Sequence, residues 1–420
     1  MNVTHVGKRL RHFRKNLRMT QEELAVGICN RSYVSQIEKG NVIPSPEILD
    51  QLAKRLQTDL KELWTESEAQ LGFSEVEIQN ALRHIVNRLE ANDMEISRKW
   101  LFKLKGQQLR PQDQTVYLWA KAELAQYDQR FEDVGELLLN SIQIAREVDD
   151  PISLVRSLQS LGYFYGMTRQ AKKAIPLLNE ALQVVNRYEI GGLLRISLLY
   201  TSAKMHGNLE EYYSAIELLN QAVSLNEAYG TMYKSAHIYM GLAICHLHLQ
   251  NFEHAETYNL LALEVLQIIP DEKLIANTYN NLGILYRVTS RHEQAEVYLL
   301  KSLEILQKLD QKHWTNNATS ELAQLYKDMG QIIKARDLCE SIITNKTTPH
   351  LLAETNLTYA EILAECDEHA QALYHLEQAL AYFSEEQLDQ YAVKSYKLLV
   401  KLGIKSEQPE TVTRLVGLYK

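Results

Sequence analysis

The stretch TQEELAVGICNRSYVSQIEKG, residues 20–40, decides the fold at the N-terminal end of the chain. Thr20 and Glu23 are spaced as in a capping box, in which each side chain bonds the backbone amide of the other residue. A helix is therefore predicted to begin at Gln21. Its apolar positions predict that it continues to about Ile28.

A tight turn and another helix follow within the same stretch. Asn30 carries a side-chain oxygen that can cap a helix over residues 31–39, and Gly40 can adopt the left-handed conformation that ends one. The stretch thus predicts two short helices that are joined by a tight turn.

Helical signals continue on both sides of this pair. Ser45 followed by Pro46 is a strong helix start, and a short fifth helix is predicted from Leu60, Leu63 and Trp64. Before the pair, apolar residues recur at helical spacing at Val6, Leu10, Phe13 and Leu17. Five short helices with a tight turn between the second and third are typical of a helix-turn-helix DNA-binding domain, which we predict over residues 1–64.

Charge is divided unequally along the chain. The net charge is -8 overall, with +4 on residues 1–64 and -12 on the remainder. A basic module on an acidic body indicates nucleic-acid binding at one end only. The four cysteines lack metal-ligand spacing and are interpreted as buried thiols, and no apolar stretch approaches the ~18 residues of a membrane span. We therefore expect a cytoplasmic protein with no metal, cofactor or membrane partner.

Residues 20–25 and 32–40 resemble the repressor-type helix-turn-helix of phage repressors and their bacterial relatives. The resemblance implies that the third helix enters the DNA major groove. The side chains expected nearest the DNA are Gln21, Asn30, Arg31, Ser32, Tyr33 and Gln36. Contact of Arg31 with phosphate only, and packing of Tyr33 between helices, are open alternatives. Arg14 and Glu38 fall where such domains hold a structural ion pair.

Beyond a polar linker predicted over residues 65–73, small residues recur every 37–41 positions, at Ala122, Gly162, Ala203, Ala243, Gly283, Ala323 and Ala360. A second set follows twelve residues after each, at Val134, Ala174, Ala215, Ala255, Ala295, Ala335 and Ala372. A third set follows seven residues later, at Ala181, Ala222, Ala262, Ser302 and Ala379. These offsets are the tetratricopeptide pattern, with longer helices than usual.

The fold class is therefore predicted to be all-α, with the helix-turn-helix domain followed by a right-handed tetratricopeptide superhelix over residues 74–420. Seven repeats are clear, and the flanks at 75–107 and 390–420 are predicted to add one degenerate capping repeat each. The concave wall of such an array is built from the first helix of each repeat. It is a surface for extended peptides or partner helices.

The register of the repeats predicts which side chains line this wall. They include Asn277, Asn280, Asn281, Arg287, Asn317, Tyr200, Lys204 and His237. An asparagine amide offers a donor and an acceptor to an extended peptide backbone, and an arginine can bond a carboxylate through two parallel hydrogen bonds. The alternative is a solvated polar face that binds nothing.

Taken together, the two parts resemble the Rap, Rgg, NprR, PlcR and PrgX family of quorum-sensing receptors. The resemblance implies that a short imported signal peptide lies in the superhelix, where asparagine amides hold its backbone. Asn277, Asn280, Asn281, Arg287 and Asn317 are the main candidates. It further implies a homodimer or higher homo-oligomer that presents the DNA-reading domains to a palindromic operator.

Two other functions stay open. Rap-like members dephosphorylate or inhibit a response regulator in sporulation, and the chain could combine this with DNA binding. Alternatively, the array could be a plain scaffold for a protein partner. The sequence contains no recognisable nucleophile–base pair, metal cluster or phosphate-binding loop, so no catalytic residue is predicted. His246 and His248 stand two residues apart and should face different directions on a helix.

Overall fold

The computed structural model describes residues 3–60, 63, 73–91, 93–345, 347–386 and 388–406, which form α-helices joined by turns and short loops, with no strand among them. The predicted all-α fold class, a helix-turn-helix domain followed by tetratricopeptide repeats, is confirmed. The chain divides into two compact units, Met1–Leu194 and Arg195–Lys420. The predicted linker lies almost entirely outside the described residues, so the boundary at residue 64 stays a prediction.

The N-terminal helices are α1 (Val3–Asn16), α2 (Gln21–Ala25), α3 (Arg31–Glu38) and α4 (Pro46–Arg55). The capping box of Thr20 and Glu23 is present at the start of α2, and Ser45 caps α4. Leu60 and Leu63 are helical, as expected for the fifth helix, whereas Trp64 lies outside the described residues.

Helix α2 ends at Ala25, so the predicted end at Ile28 is wrong. Gly27 has a φ of +70°, a left-handed conformation that stops the helix. Helix α3 likewise ends one residue before the predicted Lys39, and Gly40 follows with a φ of +75°. Both helices are thus ended by a nearby glycine.

The first unit continues with α5 (Glu75–Glu90), α6 (Met94–Leu104), α7 (Pro111–Tyr127), α8 (Val134–Glu147), α9 (Pro151–Met167) and α10 (Ala171–Arg187). Helix α11 (Gly192–Asn208) begins at the end of the first unit, and most of it belongs to the second. The second unit also contains α12 (Tyr212–Tyr229), α13 (Ser235–His248), α14 (Phe252–Ile268), α15 (Glu272–Val288), α16 (His292–Lys308), α17 (Lys312–Asp328), α18 (Ile332–Thr344), α19 (Pro349–Glu365), α20 (His369–Glu385) and α21 (Asp389–Ser406). Most of these repeat helices have 17 residues, and the predicted length is confirmed. The predicted final capping repeat is described only as far as Ser406.

The small residues that defined the repeat lie where two helices approach closely. The second set, from Val134 to Ala372, is fully buried throughout. At Gly283 a β-carbon would stand 2.5 Å from the side chain of Leu299, so α15 and α16 leave no space for a larger residue. The spacing of small residues therefore located the helix pairs correctly.

Tyrosines that follow these small residues connect consecutive repeats. Tyr286 on α15 donates its hydroxyl hydrogen to Glu256 on α14 at 2.8 Å, and Tyr326 on α17 donates to Glu296 on α16 at the same distance. Burial and the hydrogen bond to Glu256 raise the pKa of Tyr286, which stays protonated and able to donate. The same contact recurs one repeat apart and helps to fix how each repeat stacks on the one before it.

The cysteines differ from the expectation of four buried thiols. Cys245 and Cys339 are buried, but Cys29 is only partly buried and Cys366 is exposed. Cys366 is exposed because it caps the C-terminal end of α19 rather than facing a neighbouring helix. Among the described residues, no helix is long and apolar enough to cross a membrane.

Candidate DNA-reading and peptide-binding sites

Helix α3 has one buried and one exposed face. Val34 and Ile37 are buried in the core of the N-terminal domain, whereas Arg31, Ser32 and Gln36 are exposed on the opposite side. Apolar positions three residues apart lie on the same side of a helix, which is why the polar set faces outward. An exposed row of donors and acceptors on a short helix is suited to reading base edges in a major groove.

Two other predicted DNA contacts have structural roles. The side-chain oxygen of Asn30 caps α3 by accepting a hydrogen bond from the amide of Tyr33 at 2.8 Å. The ring of Tyr33 is half-buried and packs against the domain core, as the open alternative for this residue supposed. Asn30 is exposed as well, but its side chain forms the cap, so Arg31, Ser32 and Gln36 are the other exposed members of the predicted set.

A buried ion pair joins α1 to α3. Arg14 donates from Nε to Glu38 Oε1 at 2.6 Å and from Nη2 to Oε2 at 2.9 Å. A third donor, Nη1, reaches the carbonyl of Met19 at 2.7 Å, just before α2. The pair predicted from the sequence is therefore present, and it is bidentate, the stronger geometry for such a pair.

Gln21 extends this network in a way that the sequence did not predict. Its Nε2 donates to Glu38 Oε2 at 2.8 Å, so its amide is turned toward the ion pair. Arg55 on α4 donates to the carbonyls of Leu24 and Val26, at the end of α2 and the start of the turn. These bonds link all four helices around the tight turn.

The N-terminal domain also contacts the first repeat, within the same compact unit. Lys15 at the end of α1 bonds Glu77 on α5 at 3.0 Å, and Arg18 lies 3.6 Å from Glu75. Burial alone would raise the pKa of Glu77, but hydrogen bonds from Lys15 and Ser74 lower it. These pairs connect the N-terminal domain to the first of the repeat helices.

In the second unit, the predicted groove residues lie on neighbouring first helices, α11, α13, α15 and α17. We call this surface the inner face, and its members are Tyr200, Lys204, His237, Asn277, Asn280, Asn281, Arg287 and Asn317. At its α11–α13 end the rings of Tyr200 and His237 meet edge to face at 5.7 Å. Lys234 Nζ lies 5.6 Å from the centroid of the Tyr200 ring.

The side chains at this end affect one another's ionisation. Burial, followed by the charge of Lys234, lowers the pKa of His237 to about 4. Lys204 is exposed to solvent, yet the surrounding protein and the neighbouring charge of Lys234 lower the pKa of its amine. His237 is therefore neutral near pH 7.

The asparagines lie on α15 and α17, and all four are half-buried. Among the residues that the structure describes, none bonds the Oδ1 of Asn280 or the Nδ2 of Asn281, although both atoms are shielded from solvent. Buried polar atoms nearly always have a partner, because leaving one unpaired costs about 1–3 kcal/mol. One acceptor and one donor on adjacent residues thus have no partner among the described residues.

Arg287 is bound to the protein itself. Its Nη2 donates to Glu321 at 3.1 Å and its Nη1 to Asp328 at 3.2 Å, both on α17. Burial, with a contribution from the nearby Glu354, raises the pKa of Glu321. A ligand carboxylate would have to compete with these two carboxylates for Arg287. The spacing of residues in the sequence could not show this pairing.

Two histidines singled out in the sequence pack against aromatic rings. His246 stacks on His254 and Tyr258, and His248 stacks on Tyr212 at 4.7 Å. They point in different directions, as predicted. Within the described ranges, no group of three or more histidine, cysteine or acidic side chains is placed to hold a metal ion.

These features define a class: a helix-turn-helix DNA-binding domain followed by tetratricopeptide repeats. Residues 10–63 match the helix-turn-helix family model, and residues 196–229 and 274–346 match tetratricopeptide repeat models. No curated protein sequence matches the chain significantly.

Several solved structures are similar to this chain in fold. The apo form of the quorum sensor NprR from B. thuringiensis has a TM-score of 0.63 and 16% identity, covering 82% of this chain and 98% of that one. NprR in complex with its cognate peptide NprX has a TM-score of 0.58 and 17% identity, covering 79% and 99%. A Rap protein complexed with competence and sporulation factor has a TM-score of 0.58 and 14% identity, covering 92% and 99%. The resemblance to these receptors is thus confirmed as one of fold.

Proposed function

We propose that the protein is a DNA-binding transcriptional regulator whose activity is controlled by a short signalling peptide bound on the inner face. The observation that carries the peptide part is the pair of unpartnered amide atoms on Asn280 and Asn281. An extended peptide presents a backbone N–H and C=O at every residue and can satisfy both atoms. Because the DNA is the target, we place this regulator in the cytoplasm.

The DNA part of the proposal rests on α3. Arg31, Ser32 and Gln36 project from it into solvent, while the Arg14–Glu38 pair and the cap by Asn30 hold the helix in place. A rigidly supported helix loses little conformational entropy when its side chains contact the bases. A homodimer or higher homo-oligomer would place two such helices on the two halves of a palindromic operator.

The length of the inner face suggests the length of the ligand. Three helix intervals separate α11 from α17, and packed helices lie about 8–10 Å apart. An extended chain covers about 3.3–3.6 Å per residue, so roughly seven to nine residues reach from Lys204 to Asn317. NprR, which shares this fold, has been solved with its cognate peptide NprX. A peptide of about seven to nine residues therefore fits the proposal.

Capture of genomic DNA tests the DNA part. Full-length protein immobilised on beads should enrich a small set of fragments that share a palindrome, and Arg31→Ala should lower that enrichment at least about tenfold. Lys54→Ala is the matched control, because Lys54 is an exposed cation on α4, away from the reading helix. Enrichment of all fragments alike, or no effect of Arg31→Ala, would contradict site-specific reading by α3.

The response-regulator phosphatase and the scaffold stay predictions of the sequence, since no contact among the residues that the structure describes favours either. Release of phosphate from a phosphorylated response regulator would establish the first. DNA binding that no peptide alters would favour the second.

A further inference from the structure

A cavity of about 390 Å³ lies in the second unit where the end of α12, the start of α13 and the last turn of α14 meet. We call it the α13 cavity. Five apolar or aromatic side chains form most of its wall: Val223, Met232, Ile238, Tyr239 and Val265. Glu227, Gly230 and Met232 are exposed, so the cavity opens to solvent on their side. Small-molecule sites are cavities of about 300–1,000 Å³ with mainly apolar walls, and the α13 cavity has this size and lining.

The α13 cavity is separate from the inner face. Ser235, Ile238 and Tyr239 line it from α13, whereas His237 is the inner-face residue of the same helix. An α-helix turns by about 100° per residue, so Ser235 and Tyr239 point to roughly the opposite side of α13 from His237. The cavity is therefore a second candidate site rather than a part of the proposed peptide groove.

Asn226, which also lines the cavity, departs from the repeat pattern. It stands eleven residues after Ala215, a member of the second set of small residues. Five other repeats have a buried apolar residue at this position, namely Ala145, Val185, Leu266, Leu306 and Phe383. Asn226 is only 5% exposed, so an amide takes the place of a core side chain. A buried amide costs stability unless its polar atoms are bonded.

The protein bonds one end of this amide. The Nδ2 of Asn226 donates to the carbonyl of Tyr233 at 2.9 Å and to the Oγ of Ser235 at 3.1 Å, just before and at the start of α13. Because a carbonyl can only accept, these bonds fix which way the amide is turned. The other end, Oδ1, has no partner among the described residues. It is an acceptor with which a donor on a ligand can form a hydrogen bond.

The equivalent cavity of the first unit has a different chemistry. It measures about 330 Å³, lies between α8, α9 and α10, and contains Ala145 at the position of Asn226. Five charged side chains line it, including Arg146 and Glu180, which pair at 2.7 Å. In the α13 cavity the one charged lining residue is Glu227. Stacking of the repeats thus produces space at this place, and the apolar wall with a buried acceptor distinguishes the α13 cavity.

We infer that the α13 cavity binds a small, mainly apolar molecule that donates one hydrogen bond, from an O–H or N–H group, to Asn226. An engineered protein cavity of about 150 Å³ holds benzene, so the α13 cavity has room for two fused rings. The ring of Tyr239 stacks on that of Tyr258 at 6.2 Å and provides a flat wall for such a molecule. The inference goes beyond the proposed function and does not depend on it.

A pair of probes that differ in one hydrogen-bond donor tests the inference. 2-Naphthol has two fused rings and an O–H donor, and 2-methoxynaphthalene keeps the rings but has no donor. The Kd of each probe for full-length protein is measured by ligand-detected NMR titration. We expect a Kd below about 1 mM for 2-naphthol and at least about fivefold weaker binding of 2-methoxynaphthalene.

Substitutions that fill the cavity locate the bound probe. Val223→Phe on α12 and Val265→Phe on α14 replace partly exposed residues of the wall, and each should weaken 2-naphthol binding at least about tenfold. Val297→Phe is the matched control, because Val297 is half exposed on α16, outside the cavity lining. Thermal melting shows which variants are folded, and since the two substitutions act from different helices, one folded variant suffices.

Asn226→Leu tests the proposed acceptor. Leucine is the residue that other repeats have at this position, and it cannot accept a hydrogen bond. The variant should bind the two probes with Kd values within about twofold of each other. Absence of 2-naphthol binding to the wild type overturns the inference, and so does binding that both Val223→Phe and Val265→Phe leave unchanged. Equal binding of the two probes by the wild type overturns the role of Asn226 and with it the proposed class of ligand.

Discussion

Gly7 on α1 lies directly against the backbone carbonyl of Ile37 on α3. A β-carbon at residue 7 would stand 2.0 Å from that oxygen, closer than atoms can approach. Since the obstacle is backbone, α1 and α3 would have to move apart, and overpacking of this kind costs about 1–3 kcal/mol. Gly7→Ala should therefore lower the stability of the N-terminal domain and weaken DNA capture, measured by thermal melting and by genomic-fragment enrichment.

Gly135→Ala is the control for this substitution. It lies near the start of α8, where the nearest neighbour of a new β-carbon is Phe164 at 3.8 Å, an ordinary contact. Alanine favours helix more than glycine does, so this variant should be neutral or more stable by up to about 1 kcal/mol. A Gly7→Ala protein that melts and captures DNA like the wild type would refute the close approach of α1 and α3.

The pairing of Arg287 with Glu321 predicts a pH-dependent effect on stability. Arg287→Met leaves Glu321 near Asp328 and Glu354 without its cation and should cost about 2 kcal/mol near pH 7.5. The pKa of Glu321 is already raised by burial, and loss of Arg287 raises it further. A raised folded-state pKa means that ionised Glu321 destabilises the fold and that stability returns as the pH falls. The loss in melting temperature should thus be smaller at pH 5.5 than at pH 7.5.

Glu321→Gln provides the comparison for Arg287→Met. It removes the charge but keeps the shape, so it should destabilise less, and the double variant should show coupling between the two sites of about 1–2 kcal/mol. If Arg287→Met lowers the melting temperature equally at pH 5.5 and pH 7.5, ionised Glu321 does not destabilise the fold.

The exposed Gln36 and the bonded Gln21 should respond differently to alanine substitution. Gln36→Ala removes an outward amide of α3 and should change which DNA sequences are captured without altering the melting temperature. Gln21→Ala removes the hydrogen bond to Glu38 and should lower stability by about 1 kcal/mol. Sequencing of captured fragments and thermal melting measure both effects. The reverse pattern would show that α2, rather than α3, reads the bases.

His237 predicts a loss of stability in acid. Its folded-state pKa of about 4 lies below the ordinary value of 6.5, so the unfolded chain takes up a proton that the folded chain does not. The stabilisation is present above about pH 6.5 and is lost as the pH falls toward 4, by at most about 2 kcal/mol at pH 5. His237→Phe keeps a ring against Tyr200 and should reduce the acid-induced fall in melting temperature. Parallel melting curves of the two proteins from pH 7.5 to 5 would disprove this.

Local signals in the sequence predicted the helices well. Thr20, Asn30 and Ser45 cap the helices that they were expected to cap, because a cap bonds a backbone amide only three residues away. The repeat could also be predicted from the sequence, since the close approach of paired helices requires a small residue at a fixed spacing. Gly27 also indicated that α2 ends early, but the prediction followed the apolar residues as far as Ile28 instead.

Long-range side-chain partners were not predictable from the sequence. The bonds from Arg55 to the carbonyl of Val26 and from Arg287 to Asp328 join residues 29 and 41 positions apart. Periodicity gives the face on which a side chain lies but neither its rotamer nor its choice among several nearby acceptors. The sequence predicted Arg287 for the inner face, whereas its pairing with two carboxylates of the protein was found only in the structure.

Asn226 provides a comparison for the asparagines of the proposed peptide site, because its amide nitrogen is bonded by the protein, while its Oδ1 has no partner among the described residues. Its amide nitrogen donates to the carbonyl of Tyr233 at 2.9 Å and to Ser235 at 3.1 Å, so Asn226→Ala should lower the melting temperature and leave any peptide response intact. In Asn280→Ala/Asn281→Ala, which removes the unpartnered amide atoms, stability should be unchanged or higher.

The most direct test of peptide-controlled DNA binding is the affinity of full-length protein for a labelled captured fragment. It is measured by fluorescence anisotropy with and without a peptide that the protein retains from a pool of random synthetic heptapeptides. We predict that the peptide changes the apparent Kd at least about fivefold, and that Asn280→Ala/Asn281→Ala binds the DNA normally but loses this change. A Kd that the peptide leaves unaltered in the wild type, or a double variant that responds like the wild type, would contradict the proposed regulation.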